Sequence, residues 1–166
     1  MKKLIGFLMI FSLAGLCANA QSAFDKKIAA AVKQLECIVP DQEVPVTLNA
    51  KLLTEQDSMA VIVKVKMVAG WHIYQYVPST MPYIPIEHVL KLPEGLEPAG
   101  KWERSKPSPS ANDPGVLIYE NEAVFIHKLF RKAKTTGIIQ AGLYYQTCDL
   151  RQCLPPVEKV FDLPNP

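Results

Sequence analysis

The sequence predicts an all-β protein, an antiparallel β-sandwich preceded by a short N-terminal helix, and three observations lead there. From Val46 onward the chain is a succession of short runs rich in β-branched and aromatic residues. Turn signals such as "LPEGLEPAG" (Leu92 to Gly100) and Asn112-Asp113-Pro114-Gly115 separate those runs. The longest run, "MAVIVKVKMVAGWHIY" from Met59 to Tyr74, places large apolar residues at alternate positions, the period of a strand rather than a helix. About seven such strands in one domain fit a sandwich.

The elements follow in order. Met1-Lys2-Lys3, an apolar run from Leu4 to Leu16, and the small residues Ala18 and Ala20 have the three-part layout of a secretory signal, with cleavage expected after Ala20. The run is too short to serve as a membrane span. Cys17 leaves with this segment; lipidation would require a small residue before it, and Leu16 is not small. The expected divisions are therefore a signal peptide at 1–20, a helix or leader at 21–44, and the sandwich domain at 45–166. Export places the mature chain where disulfides are permitted. The 18 Lys and Arg against 16 Asp and Glu give a formal charge of +2, which falls to about zero without Lys2 and Lys3. Nothing in that balance points to nucleic acid or to stable membrane insertion.

Phe24, Ile28, Ala31, Val32 and Leu35 recur at helical spacing, with Asp25, Lys26, Lys27 and Lys33 between them, and predict a short amphipathic helix from Phe24 to Glu36. A partly ordered leader is the plainer alternative. Val46–Leu53 reads as the first strand. In the Met59–Tyr74 run the odd positions Met59, Val61, Val63, Val65, Met67, Trp71 and Ile73 form the core face, and Lys64 and Lys66 lie on the even phase. If the alternation survives Gly70, His72 and Tyr74 share the opposite face from Ile73; a bulge at Ala69-Gly70 would reverse this. A proline-rich passage, Pro78 to Pro85, precedes a strand at Ile86–Leu92. Leu92–Gly100 reads as a turn and Trp102–Gly115 as an irregular exposed loop. Strands resume at Leu117–Tyr119, Ala123–Phe130, Ile138–Gln146 and Val157–Leu163.

Three cysteines remain after the signal: Cys37, Cys148 and Cys153. The last two stand five positions apart in "YYQTCDLRQCLPP". Along an extended strand they would be about 16 Å apart, whereas a disulfide needs Cα atoms within about 7 Å, so the chain must turn between them if they bond. Asp149-Leu150-Arg151-Gln152 is polar enough to turn, and Pro155-Pro156 stiffens the exit. Closing so short a loop removes only about 2 kcal/mol of unfolded-state entropy, against nearly 5 kcal/mol for a hundred-residue loop. Such a bond is a poor staple and is suited to thiol–disulfide exchange, because it can open while the domain stays folded. A purely structural disulfide in a secreted binding module, and a metal clip completed by His72, His88, His127 or Cys37, remain open on spacing alone. The chain has no G-x-S-x-G, no H-E-x-x-H and no glycine-rich phosphate loop, which argues against the corresponding hydrolase and nucleotide chemistries. No cofactor is expected. Cys37 reads as a buried small hydrophobe, with intermolecular pairing as the alternative.

Four stretches resemble one family in its own order: "AGWHIYQ" (Ala69 to Gln75), "LPEGLEPAGKWE" (Leu92 to Glu103), "GVLIYENEAVF" (Gly115 to Phe125) and "YYQTCDLRQCLPPVEK" (Tyr144 to Lys159). The chain is similar to the N-terminal periplasmic domain of the disulfide reductase DsbD, in a stand-alone form. The resemblance implies an immunoglobulin-like sandwich with the cysteine pair near one end, in the periplasm. It implies a relay of reducing equivalents from a membrane-embedded thiol carrier to periplasmic thioredoxin-like proteins. Cys153 is then the nucleophile and Cys148 the resolving sulfur, with His72 and Tyr74 as site walls; Arg151 is a candidate support for the thiolate. In the family a cap loop shields the sulfurs, and Trp102–Gly115 occupies its place. The cysteine loop here is one residue shorter than in the best-known relative, and the cap stretch carries no phenylalanine or tyrosine. Because the sequence stops after Pro166, the electron donor is expected to be a separate protein.

Overall fold

A computed structural model describes the backbone of residues 12–165 and side chains from Ala23 onward. Residues 1–11 of the expected signal peptide lie outside the described residues. One helix, α1 (Ser12–Gln34), is followed by eleven strands among the described residues: β1 (Val46–Glu55), β2 (Ser58–Met67), β3 (His72–Tyr76), β4 (Glu87–Lys91), β5 (Leu96–Arg104), β6 (Ser108–Pro109), β7 (Leu117–Glu120), β8 (Glu122–Arg131), β9 (Gly137–Tyr145), β10 (Thr147–Cys148) and β11 (Val157–Asn165). They form three antiparallel sheets, ordered β1-β2-β8-β5, β11-β9-β4 and β10-β3-β7-β6. The architecture is the immunoglobulin-like antiparallel sandwich.

The main core lies between the first two sheets. Val61, Val63, Val65 and Phe125 from one side meet Ile139, Ala141 and Leu143 from the other, all with no exposed surface. β2 also buries its even face: Ala60 and Ile62 pack under Phe24, Ile28, Ala31 and Leu35 of the α1 segment. Each large side chain so buried contributes about 1.5–3 kcal/mol. Lys64, on this covered face, is 6 % exposed; its ammonium pairs with Glu122 at 3.4 Å and donates to the Val32 carbonyl at 3.2 Å.

Several sequence readings are corrected. The Met59–Tyr74 run is not one strand: the chain turns at Val68–Trp71, where Gly70 takes a φ of +87°, and β3 joins a different sheet. The alternation nevertheless carries across, with Ile73 in the main core and Tyr74 in a separate small cluster. Trp71 is buried, yet outside the main core, where its indole N–H donates to Gln42 Oε1 at 3.1 Å. Leu92–Gly100 is more than a turn, and Trp102 is not in a loop. Both lie largely in β5, an edge strand whose register slips between Ala99 and Glu103. Pro98 and Gly100 hide it from a sequence reading, and only an edge tolerates them. The helix extends N-terminally past Phe24, running through Ala20 as far back as Ser12.

Candidate functional site

The third sheet builds one end of the sandwich. After Tyr145 the chain leaves β9 and pairs as β10 with β3, setting Thr147 opposite Ile73 and Cys148 opposite His72. Thr147 Oγ1 donates to the His72 carbonyl at 2.9 Å and fixes that register. The chain then reverses tightly. Asp149 N–H donates to the Gln152 carbonyl at 2.9 Å, and the Asp149 carboxylate accepts from the N–H groups of Arg151 and Gln152, each at 2.7 Å. Those two bonds hold the carboxyl below its ordinary range. Leu154 N–H donates to the Thr147 carbonyl at 2.9 Å and closes the loop.

This reversal brings Cys148 and Cys153 to a Cα separation of 4.0 Å, and their sulfurs are bonded. Their surroundings differ sharply. Cys148 is 1 % exposed and packs with Tyr74, Val116 and Ile118, whereas Cys153 is exposed. The exposed half of the disulfide is thus Cys153 and the enclosed half is Cys148.

An open groove of about 740 Å³ runs beside the pair, with His72, Tyr74, Tyr83, Asp113, Cys148 and Cys153 among its walls. His72 and Tyr74 meet edge to face with centroids 5.0 Å apart. Burial lowers the proton affinity of His72, and Glu120, Asp113 and Asp149 oppose that shift. Burial pushes the Tyr74 phenol well above its ordinary value, with Tyr83 and Asp113 adding to it. Arg151 lies on the exposed rim of the turn.

The far wall comes from the loop around β6, where the Asp113 N–H donates to Ser110 Oγ at 3.2 Å and Tyr83 OH donates to Asp113 Oδ1 at 3.4 Å. With Trp102 drawn into β5, the irregular stretch that follows runs from residue 105 to 116 and is interrupted by β6. Tyr83, another wall of the groove, stacks on Tyr74 with ring centroids 4.7 Å apart. Sequence reasoning missed Tyr83, and its only signal was an aromatic enclosed by prolines in "MPYIP".

The other candidate ligands stand apart from the pair. His88 and His127 both meet Trp102, with ring centroids 4.5 and 4.8 Å away. Cys37 is buried against the α1 side, its thiol donating to the Lys64 carbonyl at 3.3 Å. Among the described residues no three metal-ligating side chains converge.

The fold and the site together define a thiol–disulfide interchange domain: a rigid sandwich carrying an unequally exposed disulfide in a short loop. The family description "Thiol:disulfide interchange protein DsbD, N-terminal" matches residues 35–165, and the chain belongs to that family. Among solved structures it is similar to the N-terminal periplasmic domain of ScsB from Proteus mirabilis, with a TM-score of 0.52 and 17 % identity over 76 % of this chain. That match spans 49 % of the ScsB chain. The DsbD N-terminal domain of Neisseria meningitidis in its reduced form gives a TM-score of 0.46 at 23 % identity, covering 77 % of this chain and 90 % of that one. A complex between the DsbD and PilB N-terminal domains from the same organism gives 0.45 at 17 %, covering 75 % and 86 %. At 17 % identity the likeness to the ScsB domain is one of fold. No curated protein matches by sequence.

Proposed function

We propose that this protein is an exported, periplasmic electron relay, in which the Cys148/Cys153 dithiol takes reducing equivalents from a membrane-embedded thiol carrier and passes them to thioredoxin-like proteins. The single observation that carries this reading is the contrast between a buried Cys148 and an exposed Cys153 within one disulfide. Among the described residues no helix is long and apolar enough to cross a membrane.

The exchange proceeds in two displacements. Cys153, as the thiolate, attacks a partner disulfide; one S–S bond forms, one breaks, and the first partner sulfur leaves. Cys148 then attacks Cys153 in the mixed disulfide, releasing the second partner sulfur. The partner gains two electrons and the protein becomes the disulfide described above. His72 and Tyr74 wall the sulfurs from one side, and the Arg151 guanidinium on the rim supports negative charge at Cys153.

Replacing Cys148 by alanine removes the second displacement and should trap a disulfide-linked complex with a thioredoxin-like domain through Cys153. The Cys153→Ala protein should trap none. A Cys148→Ala protein that forms no mixed disulfide with any oxidised thioredoxin-like domain contradicts the relay.

A further inference from the structure

The relay leaves one step without an assigned group. In its buried position Cys148 must lose a proton before it can resolve the mixed disulfide, and a thiolate there is poorly solvated. His72 is the side chain paired across from it, on the neighbouring strand at the same register position. Directly opposed residues of an antiparallel pair hold their Cβ atoms about 5 Å apart on one face.

His72 is held through both its main chain and its ring. Its backbone carbonyl is bonded by Thr147, and its ring lies edge to face with Tyr74. Its Nε2 atom is buried and has no hydrogen-bond partner. An unpartnered buried nitrogen is costly to keep and leaves Nε2 free to accept a proton or a hydrogen bond. In the oxidised state neither sulfur carries a hydrogen, so Cys148, paired opposite His72, has no S–H to donate. Reduction creates it.

We propose that His72 accepts the Cys148 proton as the mixed disulfide is resolved and hands it to the departing partner thiolate. The proposal rests on the relay reading above. The charge and proton balance closes: Cys148 S–H gives its proton to Nε2 as its sulfur bonds Cys153, the Cys153–partner bond breaks, and the imidazolium protonates the leaving sulfur. The groups facing His72 suit the task. Glu120 lies opposite it on β7, Asp113 comes from the β6 loop, Asp149 and Arg151 from the cysteine turn, and Tyr74 from its own strand. Burial keeps the ring neutral and able to accept, while the three carboxylates stabilise the imidazolium once formed.

The test uses 5,5′-dithiobis(2-nitrobenzoate) on the reduced protein. Attack by Cys153 releases a first thionitrobenzoate and resolution by Cys148 releases a second, so each variant carries its own reference. In His72→Phe and His72→Gln the ratio of second to first rate at neutral pH should fall about 100-fold, the size of a general-base contribution. The variants' second phase should rise in proportion to hydroxide, whereas the wild type levels off above the histidine titration. A second phase with unchanged rate and pH profile in both variants overturns the role of His72. A wild type that releases the first thionitrobenzoate and never the second overturns the relay beneath it, and this proposal with it.

Discussion

Tyr83 stacks on Tyr74 with ring centroids 4.7 Å apart and planes 7° from parallel, and through its hydroxyl it also holds Asp113 of the β6 loop at 3.4 Å. One side chain thus joins the wall of the cysteine groove to the loop that faces it. Tyr83→Ala should cost about 1–2 kcal/mol, the stack plus part of its buried area. By freeing the loop it should also speed reduction of the disulfide by dithiothreitol several-fold. Tyr83→Phe keeps the stack and should retain most of the stability. Thermal melts and reduction rates of the two variants check both statements.

Gly142 marks where β9 and β11 pass closest. A Cβ added there would lie 1.9 Å from the Lys159 carbonyl oxygen and 2.8 Å from the Val160 Cα, both backbone atoms in the strand opposite. Because neither can rotate away, Gly142→Ala should destabilise the domain by about 3 kcal/mol or more, the upper end of core overpacking. A urea titration reads the change, and a loss under about 1 kcal/mol would mean that the strands separate with ease.

His88 and His127 enclose Trp102 where β4 and β5 meet β8, and His88 Nε2 and His127 Nδ1 are buried without partners. Burial, with help from Arg104 and His127, pushes the His88 pKa down to about 4, and burial lowers that of His127. The folded state therefore binds fewer protons than the unfolded chain, so stability is complete above about pH 6.5 and falls as the pH drops from there toward 4. The loss should be on the order of 2 kcal/mol, since partial solvent contact screens some of the shift. His88→Phe, which keeps an aromatic against Trp102, should flatten that slope in denaturant titrations at stepped pH.

Much of this arrangement was legible in the sequence because strand alternation is strict. The period-two pattern put Ile73 with the core and His72 with Tyr74 on the other side, and it held across a change of sheet because the Val68–Trp71 turn preserves the phase. The helical spacing of Phe24, Ile28, Ala31 and Leu35 likewise anticipated the face that packs on β2. What stayed hidden depends on contacts between distant segments. Pro98 and Gly100 masked an edge strand, and with it the place of Trp102. The second buried face of β2 exists only because α1 covers it, which turns Lys64 from a surface cation into a paired, enclosed one. The burial of Cys148 was equally invisible: the odd positions of β9 face the core, and Cys148 is even, but the chain has already left that sheet for β10. Tyr83 reaches the groove from a passage where composition gives only prolines and turns.

The central claim is that a folded sandwich opens and closes the Cys148–Cys153 bond, and equilibration with glutathione buffers tests it most directly. The short loop and the exposed Cys153 predict a midpoint above about −300 mV, in the range of exchange-active pairs, with the β-sheet circular dichroism unchanged between the two states. A midpoint well below about −300 mV, or reduction that unfolds the domain, would mark the bond as a structural staple and contradict the account.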